Sequence, residues 1–407
     1  MPTATTGSSR AVSDAYAPFR DRTAIIGVGR TEYSKDSGRS ELTLATEAAH
    51  AAITDAGLKP SDIDGLVRCD MDHVSNGALA GALALPGLRY AVEAGVGGAA
   101  SCAMVAAAVA GVLSGQTENV LVFRSLNGRS EARFGSAITP RATKAGGQGS
   151  YDEFFTPYGL LTAPQSFALI AQRHMSEYGT TAEQFGAVAL TCRENANRTP
   201  YAQMRDKTLT LDEYLASRMI STPLRLFDCC LETDAACALV VTRAERMKDA
   251  PNGGALIRAV AQGKARAMSG GMMFPAITWG EPLKLSLGNL ARTLWSRAGL
   301  GPSDIDVAQI YDCFTISVLL ALEQFGFCAP GEGGPFASSG AIRSSGAVPI
   351  NTDGGNMSGG YVHGLNHVLE GVRQMRGASD VQVQGAETCL VTSGPIGISS
   401  ALVLRRA

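Results

Sequence analysis

The hydrophobic pattern of the chain predicts the same order of elements twice. In the first copy, the helical pattern "LTLATEAAHAAITDAGL" leads to the short apolar strand "GLVRC" (65–69). In the second copy, "LGNLARTLWSRAGL" leads to "VAQIYDCF" (307–314). Helical runs that alternate with short apolar strands are typical of α/β proteins.

The turn between helix and strand repeats almost letter by letter. Residues 56–64 read "AGLKPSDID" and residues 298–306 read "AGLGPSDID", so eight of nine positions match at an offset of 242. The glycine is expected to cap the preceding helix, and Pro-Ser-Asp is expected to open the next turn. Self-similarity of this kind indicates an internal duplication.

A weaker similarity between two further segments supports the duplication. "GGAASCAMVAAAVAGVLSGQTENVLVFRS" (97–125) predicts a glycine turn, a buried helix and an apolar strand. "GGYVHGLNHVLEGVRQMRG" (359–377), followed by "ETCLVTSGPIGISSALVL" (387–404), predicts the same order. The sequence therefore predicts two similar α/β halves.

The boundaries of these halves follow from the repeat. Residues 1–21 are polar and are expected to be a disordered tail. The first half is predicted over 22–253 and the second over 254–407, beginning with the strand "ALIRAVAQG". Residues 126–225 have no counterpart in the second half and are predicted to form an inserted loop domain.

The two central helices, opened by Gly97-Gly98 and by Gly359-Gly360, are apolar or small all round and are expected to be buried. Equivalent helices of two similar halves should meet near the pseudo-twofold axis. The unpaired N–H groups at their starts favour negative charge. Gly98 and Gly360 are therefore candidates to hold an oxyanion or enolate.

Composition narrows the classes of function. The 407 residues carry a formal net charge of −2, which does not favour nucleic acid as a partner, and no apolar run has the length of a membrane span. No secretory signal is visible, and nine scattered cysteines without CxxC spacing fit reduced thiols in the cytoplasm.

Several motifs, in this order, resemble the thiolase superfamily, particularly sterol-carrier-protein thiolases and their lipid-transfer-like relatives. They are "AIIGVGRTEYSKDSG", "GLKPSDIDGLV", "YDCFTI", "NTDGGNMSGGYVHG" and "TSGPIGISSALVL", and together they span about residues 22–407. The resemblance implies two pseudo-symmetric βαβαβαββ halves in a five-layered α-β-α-β-α arrangement, with an inserted loop domain.

The chain departs from thiolases at every position of their acyl-transfer chemistry. The position of the nucleophilic cysteine corresponds to Gly98, with Cys102 one helical turn further on. The positions of two other catalytic groups correspond to Tyr311 and Tyr361, and Cys389 lies too early to be the late catalytic cysteine. The chemistry is therefore expected to differ from that of a thiolase.

The tyrosine pattern resembles the thiolase-fold aldolases of bacterial steroid side-chain degradation. The resemblance implies retro-aldol cleavage of a β-hydroxyacyl-CoA to a ketone, such as a 17-ketosteroid, and a short acyl-CoA such as propionyl-CoA. It implies no cofactor besides the CoA of the substrate. It also implies a homodimer, for which "NVLVFRSLNG" (119–128) is the expected edge, and a partner with an OB fold and a zinc ribbon in a heterotetramer.

Two glycine-rich segments, 141–155 and 329–346, are expected to be costly to order without that partner.

Retro-aldol cleavage needs a base for the β-hydroxyl, groups that hold the enolate, and an acid. Tyr361, at the predicted start of a helix that would lower its pKa, is expected to be the base, and Tyr311 the acid; the reverse order is also open. Gly98, Gly360 and His363 are expected to support the site. His363 and His367 have the spacing of metal ligands, but no further ligand cluster accompanies them, so no metal is expected.

Two other functions stay open. Cys102 could serve a thiolase-type acyl transfer, although a buried, alanine-rich helix more often holds cysteine as an apolar filler. A chain that has lost the thiolase cysteine could also be a carrier that only binds acyl-CoA or sterol.

Overall fold

The computed structural model describes residues 15–95, 97–131, 133, 156–264, 283, 287–394 and 398–407. Most of the predicted tail and the segment 141–155 lie outside the described residues. In chain order, the first half contains β1 (Thr23–Arg30), α1 (Glu41–Asp55), β2 (Gly65–Arg68), α2 (Asn76–Ala82), β3 (Tyr90–Glu93), α3 (Ala100–Leu113), β4 (Val120–Asn127), α4 (Ala163–Tyr178), α5 (Ala182–Asn197), α6 (Leu211–Ala216), β5 (Met219–Ser221), β6 (Leu224–Arg225) and β7 (Asp234–Arg243).

The second half repeats the pattern without the insertion. In chain order it contains β8 (Ala255–Lys264), α7 (Leu287–Ala298), β9 (Val307–Gln309), α8 (Thr315–Gln324), α9 (Gly333–Ser338), α10 (Leu365–Arg376), β10 (Thr388–Ser393) and β11 (Ile398–Arg405). None of the described helices is long and apolar enough to cross a bilayer.

The strands of the two halves are arranged alike. The first half has the order β3-β2-β4-β7-β1 and the second half β8-β11-β10-β9. In each half the first strand pairs antiparallel with the last, β1 with β7 and β8 with β11. A short antiparallel contact, Ala24 with Leu256 and Ile25 with Ala255, joins the two halves.

Five layers result from the packing of helices on these strands. One apolar cluster places α1 against the outer face of the first-half strands. A second cluster places α3 and α10 between the two sets of strands, and a third packs α7, α8 and the inserted helices α4 and α5 on the outer face of the second half. The thiolase-like α-β-α-β-α arrangement is confirmed.

The repeated Pro-Ser-Asp motif forms the same turn in both halves. Pro60–Asp62 and Pro302–Asp304 are 3₁₀ turns. In each turn, the aspartate accepts a hydrogen bond from the backbone N–H three residues before it, Lys59 at 2.8 Å and Gly301 at 2.7 Å. The matching sequences therefore form the same backbone conformation in both halves.

Part of the expected tail is ordered against the second half. Residues Ala17–Phe19 form a 3₁₀ turn, and the Arg20 Nε donates to the Arg297 carbonyl at 2.6 Å. The Asp21 N–H donates to the Ile257 carbonyl on β8. The described chain thus packs on the fold before residue 22, the expected boundary.

Two further expectations are corrected. Strand β4 is not an edge, because β2 and β7 pair with its two sides, and the free edge of the first half is β3. The segment 329–346 is also not a loop that waits for a partner. It contains α9, whose first N–H donates to the buried Glu323 carboxylate at 3.0 Å, and it continues in hydrogen-bonded turns.

The corrected edge gives the first prediction: the chain forms a homodimer, and its two copies pair through β3. The Tyr90 N–H donates to the Asp64 carbonyl on the β2 side, so the N–H of Ala91 points to the free edge. We expect Ala91→Pro to remove an intersubunit hydrogen bond and convert the dimer to a monomer, measured by light scattering.

Ala91→Ser keeps the N–H and should stay dimeric. A wild-type chain that is monomeric at micromolar concentration would contradict the predicted dimer, and a dimeric Ala91→Pro variant would contradict the β3 edge.

Candidate functional site

The two tyrosines come from loops at the same end of the central layer. Tyr311 lies two residues after β9 and its backbone N–H donates to Thr392 Oγ1 on β10 at 2.9 Å. The Tyr361 N–H donates to the Thr233 Oγ1, next to β7, at 3.0 Å. A threonine side chain from each half therefore fixes the backbone of one tyrosine.

Tyr361 does not lie in the first turn of a helix. Residues Gly355–Gly359 form a turn of π-helix, and α10 begins only at Leu365, after Gly364. Three residues lie between Tyr361 and Leu365, so Tyr361 precedes α10, whereas the sequence predicted that it begins this helix.

The two phenol groups are close neighbours in a buried site. The Oη atoms of Tyr311 and Tyr361 are 3.1 Å apart, and either hydroxyl can be the donor. Both side chains are buried, with 5% and 6% of their surface exposed. Two hydroxyls at hydrogen-bond distance can pass a proton between them.

Gly98 leaves the space that Tyr311 fills. A Cβ atom added to Gly98 would lie 2.0 Å from the Tyr311 Oη, which is far inside contact distance. The Gly98 carbonyl accepts a hydrogen bond from Ser393 Oγ at 2.9 Å, which holds this turn against the end of β10. The phenol hydroxyl thus occupies the volume where any side chain at residue 98 would begin.

Gly360 does not offer its N–H to the site. That N–H donates to the Gly355 carbonyl at 3.0 Å and closes the π-helical turn. A Cβ at Gly360 would lie 2.4 Å from the ring of Tyr33, so Gly360 admits that ring. The expectation that the Gly360 N–H holds an oxyanion is not retained, because the donor is already used.

A buried ion pair reaches His363. Arg124 on β4 donates from Nη1 to Asp72 Oδ1 at 2.5 Å and from Nη2 to His363 Nδ1 at 2.6 Å. The His363 ring lies 5.1 Å from the Tyr361 ring, nearly perpendicular to it. Asp72 and Arg124 were not predicted from the sequence, although an arginine within the apolar run "NVLVFRS" was a signal.

Electrostatics keeps both phenols protonated. Burial raises the pKa of Tyr311 and of Tyr361 well above 10. The hydrogen bond from Tyr311 and the charge of Arg124 act in the opposite direction on the pKa of Tyr361. Arg124 thus partly offsets the effect of burial on the pKa of Tyr361, although burial has the larger effect at both phenols.

Cys102 is placed as an apolar filler. Its side chain is fully buried in the first turn of α3 and its thiol donates to the Val391 carbonyl at 3.6 Å. Burial raises the pKa of this thiol well above its usual value, which disfavours the thiolate that a nucleophile needs. Cys389 is also buried, on β10.

His367 belongs to a different buried pair. Its Nε2 lies 2.9 Å from Asp312 Oδ1, and the second carboxylate oxygen of Asp312 accepts the N–H of Met357 at 3.1 Å. Within the described ranges, no group of three or more His, Cys, Asp and Glu side chains could hold a metal ion.

The overlap at Gly98 gives the second prediction. We expect Gly98→Ala to displace the Tyr311 hydroxyl and lower the free energy of unfolding by about 1–3 kcal/mol, the usual cost of overpacking. Chemical denaturation measures this change.

Gly81→Ala, on α2, is the matched control, because nothing lies within 4 Å of its added Cβ. A loss at Gly98 no larger than at Gly81 would mean that Tyr311 does not occupy this space.

Comparisons with known proteins agree with this arrangement. Residues 282–405 match the family described as Thiolase C-terminal domain-like. The chain is 41% identical to the 17-hydroxy-3-oxo-4-pregnene-20-carboxyl-CoA lyase of Mycobacterium tuberculosis, over 94% of this chain and 98% of the relative. It is also 41% identical to the steroid side-chain-cleaving aldolase of Thermomonospora curvata, over 94% of this chain and 97% of the relative.

A solved structure gives the same result for the fold. The Ltp2-ChsH2(DUF35) aldolase matches with a TM-score of 0.88 and 39% identity, over 95% of this chain and 98% of that chain. Relatives this similar over nearly their whole length share family and fold. The chain therefore belongs to the thiolase superfamily, in the family of the steroid side-chain-cleaving aldolases.

Proposed function

We propose that this chain is an aldolase that cleaves the β-hydroxyacyl-CoA side chain of a steroid. Its products are a ketone, such as a 17-ketosteroid, and a short acyl-CoA such as propionyl-CoA. The observation that carries the proposal is the buried pair of phenol hydroxyls, 3.1 Å apart, at the position that a side chain at residue 98 would otherwise fill. The named activities of the two 41% identical relatives support it.

The reaction moves one proton and breaks one carbon–carbon bond. The β-hydroxyl loses its proton and becomes the ketone as the Cα–Cβ bond breaks. The electron pair of that bond moves into the thioester as an enolate, and Cα then takes up a proton. The atoms balance without a covalent enzyme intermediate or an external oxidant, so the chain needs only proton-transfer groups and donors for the enolate oxygen.

The tyrosine pair supplies a path for this proton. In our proposal, Tyr361 takes the hydroxyl proton while its own proton passes to the Tyr311 oxygen, and Tyr311 gives its proton to Cα. Each phenol ends neutral, so neither has to ionise before the substrate binds. This relay fits the raised pKa of both phenols, which a mechanism that starts from free phenolate does not.

We base the order of the two roles on the charges around them. Arg124 lowers the pKa of Tyr361 against the effect of burial, so negative charge that develops during transfer is best placed on Tyr361. We assign Tyr361 as the base on the hydroxyl and Tyr311 as the acid. Backbone groups around Gly98 and the imidazole of His363 are the proposed supports for the thioester oxygen.

The third prediction tests the two tyrosines. We expect Tyr311→Phe and Tyr361→Phe to fold normally and to lose C–C cleavage by ~10²-fold or more, the usual scale for a general acid or base. The assay follows, by mass spectrometry, the conversion of a β-hydroxyacyl-CoA to a ketone and a shorter acyl-CoA.

Cys102→Ser is the control and should keep most of the activity without a trapped acyl-enzyme. A substrate-derived mass adduct on Cys102, with transfer of the acyl group to free CoA, would indicate a thiolase. Substrate that binds and stays unchanged would indicate a carrier, and activity within a few-fold of wild type in both tyrosine variants would refute their assignment.

The fourth prediction concerns pH. The relay needs both phenols protonated, and burial raises the pKa of both, so the protonated form persists until pH exceeds those raised values. We expect the tyrosine pair to contribute no pH dependence to kcat between about pH 6 and 9. A rise of kcat by about tenfold per pH unit across this range would instead indicate a reactive phenolate.

The fifth prediction concerns a partner. The similar solved structure is named as an Ltp2-ChsH2(DUF35) assembly, and we propose that this chain also works with a partner, the OB-fold and zinc-ribbon protein expected from the resemblance, in a heterotetramer. We expect the chain alone to be poorly soluble or nearly inactive, and co-expression to restore turnover. Full activity of the purified chain, unchanged when the partner is added, would contradict this dependence.

A further inference from the structure

We propose that Asp72 and Arg124 are positioning residues that hold His363 as a neutral imidazole with its proton on Nε2. The inference rests on the proposed aldolase function for the role of His363, but not for its protonation state. In this arrangement His363 acts as a fixed hydrogen-bond donor to the oxygen of the enolate, and the tyrosine pair alone carries the proton.

The tautomer follows from the donors that face Nδ1. Arg124 Nε lies 3.2 Å and Nη2 lies 2.6 Å from the same His363 Nδ1 atom. A guanidinium has only N–H donors and stays charged in proteins. Nδ1 must therefore present its lone pair to Arg124, and in a neutral imidazole the proton is then on Nε2.

Asp72 holds the guanidinium of Arg124 in place, and this guanidinium in turn orients the imidazole of His363. Asp72 Oδ1 accepts from Arg124 Nη1 at 2.5 Å and from the Ser125 N–H at 3.2 Å, and Oδ2 accepts from the Cys69 N–H at 3.0 Å. The side chains of Arg124 and Asp72 are 1% and 0% exposed. The loop after β2 thereby sets the orientation of a ring on the opposite half of the chain.

The surroundings of His363 disfavour a second proton on its imidazole ring. Burial and the charge of Arg124 lower the pKa of His363 well below its usual range. Tyr361, on the same loop, also lies against its ring, and Asp72 and Cys69 lie on the far side, next to Arg124. From α3 the neighbouring group is the hydroxyl of Ser101, which donates to the His363 carbonyl at 2.8 Å.

The backbone at His363 favours a positioned ring as well. Its φ is +49°, a left-handed conformation that is uncommon outside glycine, although histidine adopts it more often than most other residues. Backbone strain of this kind persists where the surrounding contacts determine the conformation. Here the Ser101 hydroxyl on the carbonyl and Arg124 on the ring hold both ends of the residue.

Nitrogen NMR of the five histidines tests the tautomer directly. In wild-type enzyme, co-expressed with its partner, we expect His363 to show an unprotonated Nδ1 and a protonated Nε2, unchanged from about pH 5 to 8. His363→Asn, which tolerates the left-handed backbone, assigns the signals. A protonated Nδ1, or a titration of His363 in this range, would overturn the inference.

A paired substitution tests the positioning role. Arg124→Met with Asp72→Leu removes both charges together, so no buried charge is left alone. We expect His363 to populate both tautomers, kcat to fall by at least tenfold, and KM to change by no more than a few-fold. An unchanged tautomer together with an unchanged kcat in the folded double variant would overturn the role.

Arg376→Met with Asp55→Leu is the matched control, because it removes another ion pair, at 2.7 Å, outside the site. This control should keep the tautomer and kcat. The two hypotheses fail in different ways. The predicted tautomer in a protein without aldolase activity would reject the proposed function alone, and an active aldolase with a titrating His363 would reject the positioning inference alone. If the double variant does not fold, the wild-type spectrum still decides.

Discussion

The burial of most of the two central helices is the constraint on which this structure depends. Helices α3 and α10 lie between two sets of strands, so most of their residues are apolar, small or hydrogen-bonded. Their starts and the strand ends around them meet at one edge of the layer. That edge collects Gly98 from one half and Tyr361 from the other, and it buries the phenol pair.

Much of the fold could be predicted from the sequence because its signals are local. The Pro-Ser-Asp turns, the helical patterns before them and the strand β8 depend on neighbouring residues, and the duplication makes each signal visible twice. The start of α10 could not be predicted in this way. The sequence "GGYVHGLN" is compatible with a helix, but the π-helical turn and the left-handed His363 are determined by contacts with other parts of the chain.

The residues of the site also divide into those that the sequence predicts and those that it does not. Alignment of motifs singled out Tyr311 and Tyr361, and the structure brings their hydroxyls together. The link from Asp72 through Arg124 to His363 could not be predicted by spacing, since Asp72 and Arg124 are 52 residues apart and Arg124 and His363 are 239 apart. Whether a backbone N–H is free to bind a ligand also depends on the tertiary structure. Gly360 stands next to the catalytic candidate, yet its donor closes a local turn.

The contact between Gly98 and Tyr311 also restricts which side chains residues 98 and 311 can carry together. A Cβ at residue 98 and the hydroxyl of a tyrosine at residue 311 would be 2.0 Å apart, so the two cannot coexist in this backbone. The identities of the two residues are therefore coupled: a cysteine at residue 98 would require Tyr311 to move or to be replaced by a smaller side chain.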